Sequence, residues 1–287
     1  VDLRGYAGGR GSLRLALRTT SPLTVGDEIA LTLPVGFDLT AVALGDSTTT
    51  PSGMPPQMSE IDSATATLIL DVQASEAAGD FLLFLDDLGL PPTAAKDLSV
   101  LVQTRRGDDT VLDLADAEPP QFALPGCLVL LPGVEISNGL NGAAGTAMEK
   151  LVLTSFRLLA SGEGISVLTV ELLPLLSGIQ SDDLTAIDIL LDRDGDGAID
   201  AGDKSVAVQV LGSVSQGMPT AISLSAQHLD RDSTRAYLVI GNVSASISST
   251  DHIRFDVIGA TGDSGLLSGI TPSSGSAPIV GTQHVAS

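Results

Sequence analysis

Aliphatic residues that alternate with polar ones are the feature that most constrains how this chain can fold. In the segment 13–17 leucine alternates with arginine and alanine, and the segment 29–33 repeats the pattern until Pro34 ends it. Because successive side chains of a β-strand point to opposite faces of the sheet, this period of two gives each strand one apolar face. Extended stretches with the 3.6-residue period of an amphipathic helix are hard to find. The pattern therefore predicts an all-β protein.

The core of such a protein has to be built almost entirely from aliphatic side chains. Hydrophobic residues make up 43% of the 287 residues, but aromatic residues make up only 3% and tryptophan is absent. This apolar content suffices for two domains of ordinary size or one large β domain. Further strands are predicted at 65–72, 81–85, 98–104, 110–114, 128–136, 150–159, 165–175, 185–191, 205–211, 220–224, 235–240, 252–258 and 278–285.

A proline pair, Pro119 and Pro120, divides the predicted strands into two sets. Proline lacks the N–H group that a central strand needs, so a Pro-Pro pair is excluded from such a strand. We therefore predict two tandem β-sandwich domains of Ig-like or jelly-roll-like type. The first comprises residues 1–118, a proline-rich linker follows at 119–126, and the second sandwich comprises residues 127–287.

Aspartate is most regularly spaced in the twelve residues from Asp192 to Asp203, where it occupies positions 1, 3, 5, 9 and 12, with glycine at position 6. This is the ligand spacing of an EF-hand-type calcium loop, in which alternate residues of a tight turn direct oxygen atoms at one centre. We therefore predict a Ca²⁺ site in the second sandwich. Its predicted ligands are the side chains of Asp192, Asp194, Asp196, Asp200 and Asp203 and the carbonyl group of Ala198.

Both flanks of this loop have the period of a strand rather than that of a helix. Isoleucine and leucine alternate with other residues over 187–191, and valine does so over 206–210. The loop is therefore expected to join two strands of a hairpin, with Ile199 pinning it to an apolar core. Calcium would then lock the hairpin instead of opening a pair of helices. The alternative is a solvated acidic turn, because aspartate and glycine both favour turns.

The segment from Leu190 to Asp203, followed by the alternating residues 206–210, resembles the calcium-loop β-sandwich modules of large bacterial cell-surface proteins. This resemblance extends loosely from about residue 148 to residue 257. The loop is also similar to one half of a dockerin, although a dockerin has two such loops, each followed by a helix. In the first half, the segment 21–37 resembles secreted β-sandwich modules of microbes. The resemblance implies extracellular scaffolding or adhesion rather than one particular activity.

The formal net charge of -21, from 35 acidic and 14 basic residues, excludes several classes of partner. Nucleic acid requires a basic face, and anionic membrane surfaces disfavour a strongly acidic protein. No apolar run approaches the ~18–20 residues of a membrane span, and the run 122–134 is broken by Pro125 and Pro132. We therefore expect neither nucleic-acid binding nor membrane insertion, and divalent cations are the natural partners.

An extracellular or cell-surface location is expected. Cys127 is the only cysteine, so no internal disulfide can form, and its apolar surroundings predict a buried, unreactive thiol.

A chain that starts at Val1 suggests a mature form from which a leader was removed, although a chain cut at an arbitrary point would look the same. The segment 242–244 is an N-glycosylation sequon, which has meaning only in a eukaryotic secretory pathway.

The sequence has few residues in patterns that are typical of catalytic sites. The three histidines, His228, His252 and His284, lie outside any metalloprotease or nucleophile signature, and Gly-x-Ser-x-Gly does not occur. We therefore expect that the protein is not an enzyme. Other acidic residues could serve a second ion, but they lack metal-grade spacing, so the favoured interpretation is that they are solvated turn carboxylates. They are Asp80, Asp86, Asp87, Asp182, Asp183, Asp230 and Asp232.

Two functions fit these features. The first is an extracellular structural subunit that assembles with itself into a filament, tubule or surface layer, stabilised by calcium. Because residues 1–18 and 270–287 are extended arms, one of them can insert as a strand into a neighbouring subunit, or pair within its own sheet. The alternative is a calcium-dependent adhesin or accessory module of a larger surface protein, with a glycan or protein ligand. The sequence favours the first function.

Overall fold

The computed structural model describes residues 1–108, 110–114, 121–142, 144–180, 183–209, 211, 214–266 and 278–287. These residues form β-strands, turns and loops with no helix, so the all-β prediction is confirmed. None of them therefore belongs to a helix long and apolar enough to cross a membrane. The strands are β1 (Asp2–Arg4), β2 (Arg10–Arg18), β3 (Glu28–Thr32), β4 (Ala43–Leu44), β5 (Gln57–Asp62), β6 (Thr67–Asp71), β7 (Asp80–Gly89), β8 (Ala95–Ser99), β9 (Leu101–Arg105), β10 (Val111–Leu114), β11 (Gln121–Leu124), β12 (Cys127–Pro132), β13 (Met148–Ser161), β14 (Ile165–Ser177), β15 (Leu184–Asp192), β16 (Lys204–Ser205), β17 (Thr220–Leu229), β18 (Thr234–Val243), β19 (His252–Ser264) and β20 (His284–Val285).

The chain divides into two compact units, Val1–Pro125 and Gly126–Ser287, each with its own apolar core. Residues 115–120, which include the proline pair of the predicted linker, lie outside the described residues.

The first unit contains a four-stranded sheet in the order β1-β2-β7-β4, a five-stranded sheet in the order β10-β9-β3-β6-β5, and the pair β11-β8. Leu13 and Leu15 of β2 are fully buried, whereas Arg14 between them is exposed, as the alternation predicts. The prediction of one strand over 98–104 was wrong. The fully buried Val100 separates β8 from β9, which belong to different sheets, and a continuous apolar run does not reveal such a change of sheet.

The second unit contains the predicted calcium loop. Its two sheets have the orders β12-β13-β18-β15-β16 and β17-β14-β19-β20, and leucine, isoleucine and valine side chains from both fill one core. The largest buried side chains are aromatic, and the rings of Phe156 and Tyr237 stack with centroids 5.3 Å apart. The loop joins β15 to β16, which are antiparallel, so it connects two strands as predicted.

The predicted return strand over 205–211 is shorter than expected. Only Lys204 and Ser205 form β16, after which Ala207 bridges to Leu224 of β17 in the facing sheet. Val206 is buried but Val208 is 66% exposed, so the valines of this segment do not share one inward face. Val210 of the same pattern lies outside the described residues.

Both described termini pair with strands of their own unit. β1 pairs with β2 in the first unit, and β20 pairs with β19 in the second. The predicted strand over 278–285 is reduced to β20 and an isolated bridge between Ile279 and Val257. His284 fixes the C-terminal end, because its fully buried ring accepts a hydrogen bond from the Gly139 N–H at Nδ1 and contacts the Leu153 carbonyl at Nε2. Within the described residues both ends thus pair inside their own unit, and residues 270–277 of the second predicted arm lie outside the described residues.

Candidate metal centre

Asp192 ends β15 and begins the acidic loop. It pairs with Ala236 of β18 and is 4% exposed, so its carboxylate is almost withdrawn from water. The chain then makes two sharp turns at Gly195 and Gly197, where φ is +74° and +81°. Glycine adopts this left-handed conformation without the steric cost that a Cβ atom imposes. The loop thereby curls back towards the residue that starts it.

Three of the predicted ligands converge in the structure. Carboxylate oxygens of Asp192, Asp194 and Asp196 all lie within 4.8 Å of one another. Calcium binds oxygen ligands at roughly 2.3–2.6 Å, so two ligands on opposite sides of one ion are separated by roughly 5 Å. The three carboxylates are therefore close enough to hold one metal ion, and hard anionic oxygens are the ligands that Ca²⁺ prefers.

The surroundings of Asp192 act on its charge in opposite directions. Burial raises the pKa of this carboxyl above its ordinary value, and the nearby charge of Asp203 raises the pKa further. The backbone N–H groups of Gly195 and Gly197 oppose this effect by donating to its two oxygens, at 2.7 Å and 3.1 Å. Deprotonated Asp192 is thus held by fixed donors but repelled by its acidic neighbours, and a bound cation would relieve that repulsion.

The other predicted ligands are directed at the backbone of the loop. Asp203 accepts hydrogen bonds from the N–H groups of Arg193 and Asp200, at 3.1 Å and 3.0 Å. Asp200 accepts one from the N–H of Gly202. Among the described residues, the metal-ligand grouping contains only the first three aspartates, and neither Asp200 nor Asp203 joins it. Ala198 donates its N–H to Asp196 at 2.8 Å.

An apolar anchor holds the loop against the outer face of its sheet. The prediction that Ile199 pins the loop is confirmed, because this side chain packs on a small cluster formed by Leu190, Leu238 and Ile240. Gly197 also lies close to the segment after β12, since a Cβ atom built on it would be 3.1 Å from Val134. Burial of apolar side chains against the loop limits its freedom before any ion binds.

Two of the other acidic residues singled out in the sequence, Asp80 and Asp183, have structural contacts. Asp80 pairs with Arg18 at 3.8 Å, and both side chains are exposed. Asp183 accepts hydrogen bonds from Ser244 and Ser246, which lower the pKa of its carboxyl. Asp182 lies outside the described residues.

Among the side chains that could act as acids, bases or nucleophiles, His284, His228 and Cys127 have structural surroundings, whereas Nδ1 of His252 is buried without a hydrogen-bond partner among the described residues. Burial lowers the pKa of His284, and both of its ring nitrogens contact backbone groups. His228 lies 3.3 Å from Ser166 Oγ and 3.7 Å from a carboxylate oxygen of Asp230, on an exposed strand. Cys127 is half-buried rather than fully buried, and burial raises the pKa of its thiol, which disfavours the reactive thiolate.

Sequence reasoning missed a set of arginines beside the loop. A cleft of about 550 Å³ is lined by Arg157, Arg193 and Arg235 together with Asp192 and Asp194. These arginines belong to β13, to the loop and to β18. Only the register of the strands brings them together, because Arg157 and Asp192 both pair with Ala236. The sequence offers no spacing signal that connects them.

Comparison with known proteins identifies no family for this chain. No family model matches it, and no curated protein matches it. Thirty-five chains of known structure match it. One is the serine-rich repeat protein Srr2 of Streptococcus agalactiae, with 12% identity, a TM-score of 0.23 and coverage of 94% of this chain and 88% of that one.

Two further structures show a comparable degree of likeness. The collagen-binding domain of the Erysipelothrix rhusiopathiae surface protein RspB is 9% identical, with a TM-score of 0.21, and 99% of this chain and 91% of that one are covered. A structure of manganese lipoxygenase from Gaeumannomyces graminis, which includes part of zonadhesin from Komagataella pastoris, is 12% identical, with a TM-score of 0.28 and coverage of 98% and 90%. Likeness at this level transfers no function to the chain.

Proposed function

We propose that this chain is a calcium-binding β-sandwich module of a larger extracellular or cell-surface protein, with an adhesive or accessory binding role. The observation that carries the proposal is the convergence of Asp192, Asp194 and Asp196, whose carboxylate oxygens lie within 4.8 Å of one another. Their donor set and spacing suit Ca²⁺, and the sequence spacing adds Ala198, Asp200 and Asp203 as further ligands.

Calcium would act in this module as a staple between two strands. Asp192 closes β15, and Asp203 immediately precedes β16. A bound Ca²⁺ supplies two positive charges where these carboxylates repel one another, and it fixes the loop that Ile199 already holds on the sheet. In a protein with a single cysteine, metal ligation takes the place of a disulfide cross-link.

The module role is preferred to that of a self-assembling subunit because both described termini pair with their own unit. Strand exchange between subunits requires an edge that is left unpaired and a terminal strand that is free to leave. We assign no catalytic role, in keeping with the expectation from the sequence, and we place the protein outside the cell.

Thermal unfolding with and without calcium tests the proposed site. With an extracellular-type Kd of roughly 0.1–1 mM, millimolar calcium adds about 0.4–1.4 kcal/mol to the free energy of unfolding of the wild-type chain. Asp192→Ala and Asp194→Ala remove this increment, because each deletes a carboxylate of the converging cluster. Asp80→Ala is the matched control, since it removes an exposed carboxylate from the other unit and leaves the increment unchanged. A calcium increment retained in Asp192→Ala would contradict the proposal.

Electron microscopy and light scattering of the purified chain in millimolar calcium, and again in chelator, separate the two candidate functions. A module remains dispersed as single particles under both conditions. Ordered filaments, tubes or sheets in calcium that disappear in chelator would overturn the module role in favour of self-assembly.

A further inference from the structure

The cleft beside the acidic loop is the feature of this molecule that its proposed calcium site leaves unexplained. Its volume of about 550 Å³ lies in the range of sites that hold small ligands. Arg157, Arg193 and Arg235 line it together with Thr234. The cleft belongs entirely to the second unit, so one folded sandwich suffices to form it.

The concentration of arginine in this cleft is unusual for such an acidic chain. The protein has 14 basic residues and a net charge of -21, yet three arginines line one opening. Arg157 donates from Nε to the Pro132 carbonyl at 2.9 Å, which restrains the position of its guanidinium group. Within the part of the chain that the structure describes, none of the three guanidinium groups forms an ion pair with a carboxylate.

We propose that this cleft binds a carboxylated saccharide, such as a uronic acid residue, and that calcium at the neighbouring loop strengthens the binding. Guanidinium groups bind carboxylates through paired, charge-assisted hydrogen bonds, and arginine is the side chain best suited to that geometry. This inference rests on the proposed calcium site and adds to it the chemical class of the ligand.

Calcium affects the ligand through charge. The five aspartates of the loop carry five negative charges, and the three arginines offset three of them. One Ca²⁺ offsets the remaining two. Without the ion, Asp192 and Asp194 line the same cleft and repel an incoming carboxylate. With the ion bound, the arginines act on the ligand without that opposition. The two ligands therefore favour each other's binding, with a coupling of about 5-fold or more.

The lining of the cleft favours a saccharide over a peptide. Peptides can be held by an added strand, by pockets for apolar anchors or by arginine clusters that bind acidic motifs. Among the described lining residues the apolar side chains are limited to Leu191 and Ala236, which disfavours a peptide with apolar anchors. Neutral sugars gain affinity by stacking on aromatic rings, and none of the described residues that line the cleft is aromatic. A uronic acid presents a carboxylate to the arginines and hydroxyl groups to Thr234 and to the loop. Charge and hydrogen bonding can therefore replace the missing stacking.

Isothermal titration calorimetry of the whole chain with trigalacturonate tests this proposal in millimolar calcium and in chelator. The wild-type chain binds trigalacturonate in calcium and about 5-fold or more weakly in chelator. Arg157→Gln and Arg235→Gln each weaken binding by about 10-fold or more, because each removes charge-assisted hydrogen bonds. Both variants keep the calcium-induced rise in melting temperature, which shows that they are folded and that their loop binds the ion. Arg18→Gln, an exposed strand arginine of the first unit, is the matched control.

The outcomes separate this inference from the proposed function. A calcium-induced rise in melting temperature without trigalacturonate binding, or with equal binding by Arg157→Gln, overturns the inference alone. Binding that depends on Arg157 in a chain whose melting temperature ignores calcium supports the cleft and overturns the calcium proposal. Galactotriose is the neutral match and is expected not to bind. Binding of triglutamate as tight as that of trigalacturonate overturns the saccharide class in favour of an acidic peptide.

Discussion

At the residue scale, Asp192 both closes a turn of the loop and contributes to the acidic cluster. Its two oxygens accept the N–H groups of Gly195 and Gly197, which closes the first turn of the loop. The same carboxylate joins those of Asp194 and Asp196, although burial already raises its pKa. A buried anion is costly unless hydrogen-bond donors or a cation compensate its charge. Here the loop supplies the donors, and the spacing of the aspartates suits a bound cation.

His284 makes the stability of the second unit depend on pH. Its folded-state pKa lies below the ordinary value of 6.5, because burial penalises the charged ring. Its contribution to stability is therefore complete above pH 6.5 and is lost as the pH falls below that value. The free energy of unfolding, measured with urea, should fall less between about pH 7.5 and about pH 5.5 in His284→Gln than in the wild type. His228→Gln, at an exposed histidine, should leave the loss unchanged, and equal losses in all three proteins would contradict this role.

Tyr237 has a polar group where the core offers nothing to satisfy it. The side chain is fully buried, burial raises its pKa to about 12, and its hydroxyl has no hydrogen-bond partner among the described residues. We expect Tyr237→Phe to raise the free energy of unfolding by about 1 kcal/mol, since the stack on Phe156 is kept and the buried hydroxyl is removed. Denaturant unfolding measures this change. A loss of stability in Tyr237→Phe would show that the hydroxyl has a partner after all.

At the scale of elements, the conformation of the loop between β15 and β16 depends strongly on one glycine. Gly197 has a φ of +81°, and a Cβ atom there would lie 3.1 Å from Val134 and 3.2 Å from Ile136. Gly217 has a φ of +67°, but its surroundings are open. Gly217→Ala should therefore cost about 1–2 kcal/mol from the backbone alone. Gly197→Ala should cost more and should also reduce the calcium-induced rise in melting temperature. Equal costs for the two variants would show that the loop does not press on residues 134–136.

Local patterns predicted elements well where one strand stays in one sheet. Leu13, Leu15 and Ile29 are buried as their alternation requires, because the period of a strand is a property of neighbouring residues. The patterns failed where the chain changes sheets, at Val100 and after Val206, because such a change depends on which distant strand is closer.

The candidate site, too, could be predicted from the sequence only in part. The spacing of Asp192, Asp194 and Asp196 could be read from the sequence, since the ligands of one loop are local. The arginine cleft could not, because Arg157 and Arg235 reach the loop only through the pairing of β13, β18 and β15.

At the scale of the whole molecule, the protein combines two separate aliphatic cores with a strong negative charge. Self-repulsion destabilises a compact acidic chain, and bound cations reduce it. The acidic loop lies in the second unit, so calcium should stabilise residues 126–287 directly and leave the first unit unchanged.

A calcium titration of the isotope-labelled whole chain, followed by ¹H–¹⁵N NMR, tests the central claim most directly. The amide signals of Gly195 and Gly197, which donate to Asp192, should shift with calcium and saturate with a Kd of roughly 0.1–1 mM. The same signals should stay still in Asp192→Ala. Loop signals that ignore several millimolar calcium, or that shift equally in Asp192→Ala, would contradict a calcium site at this loop.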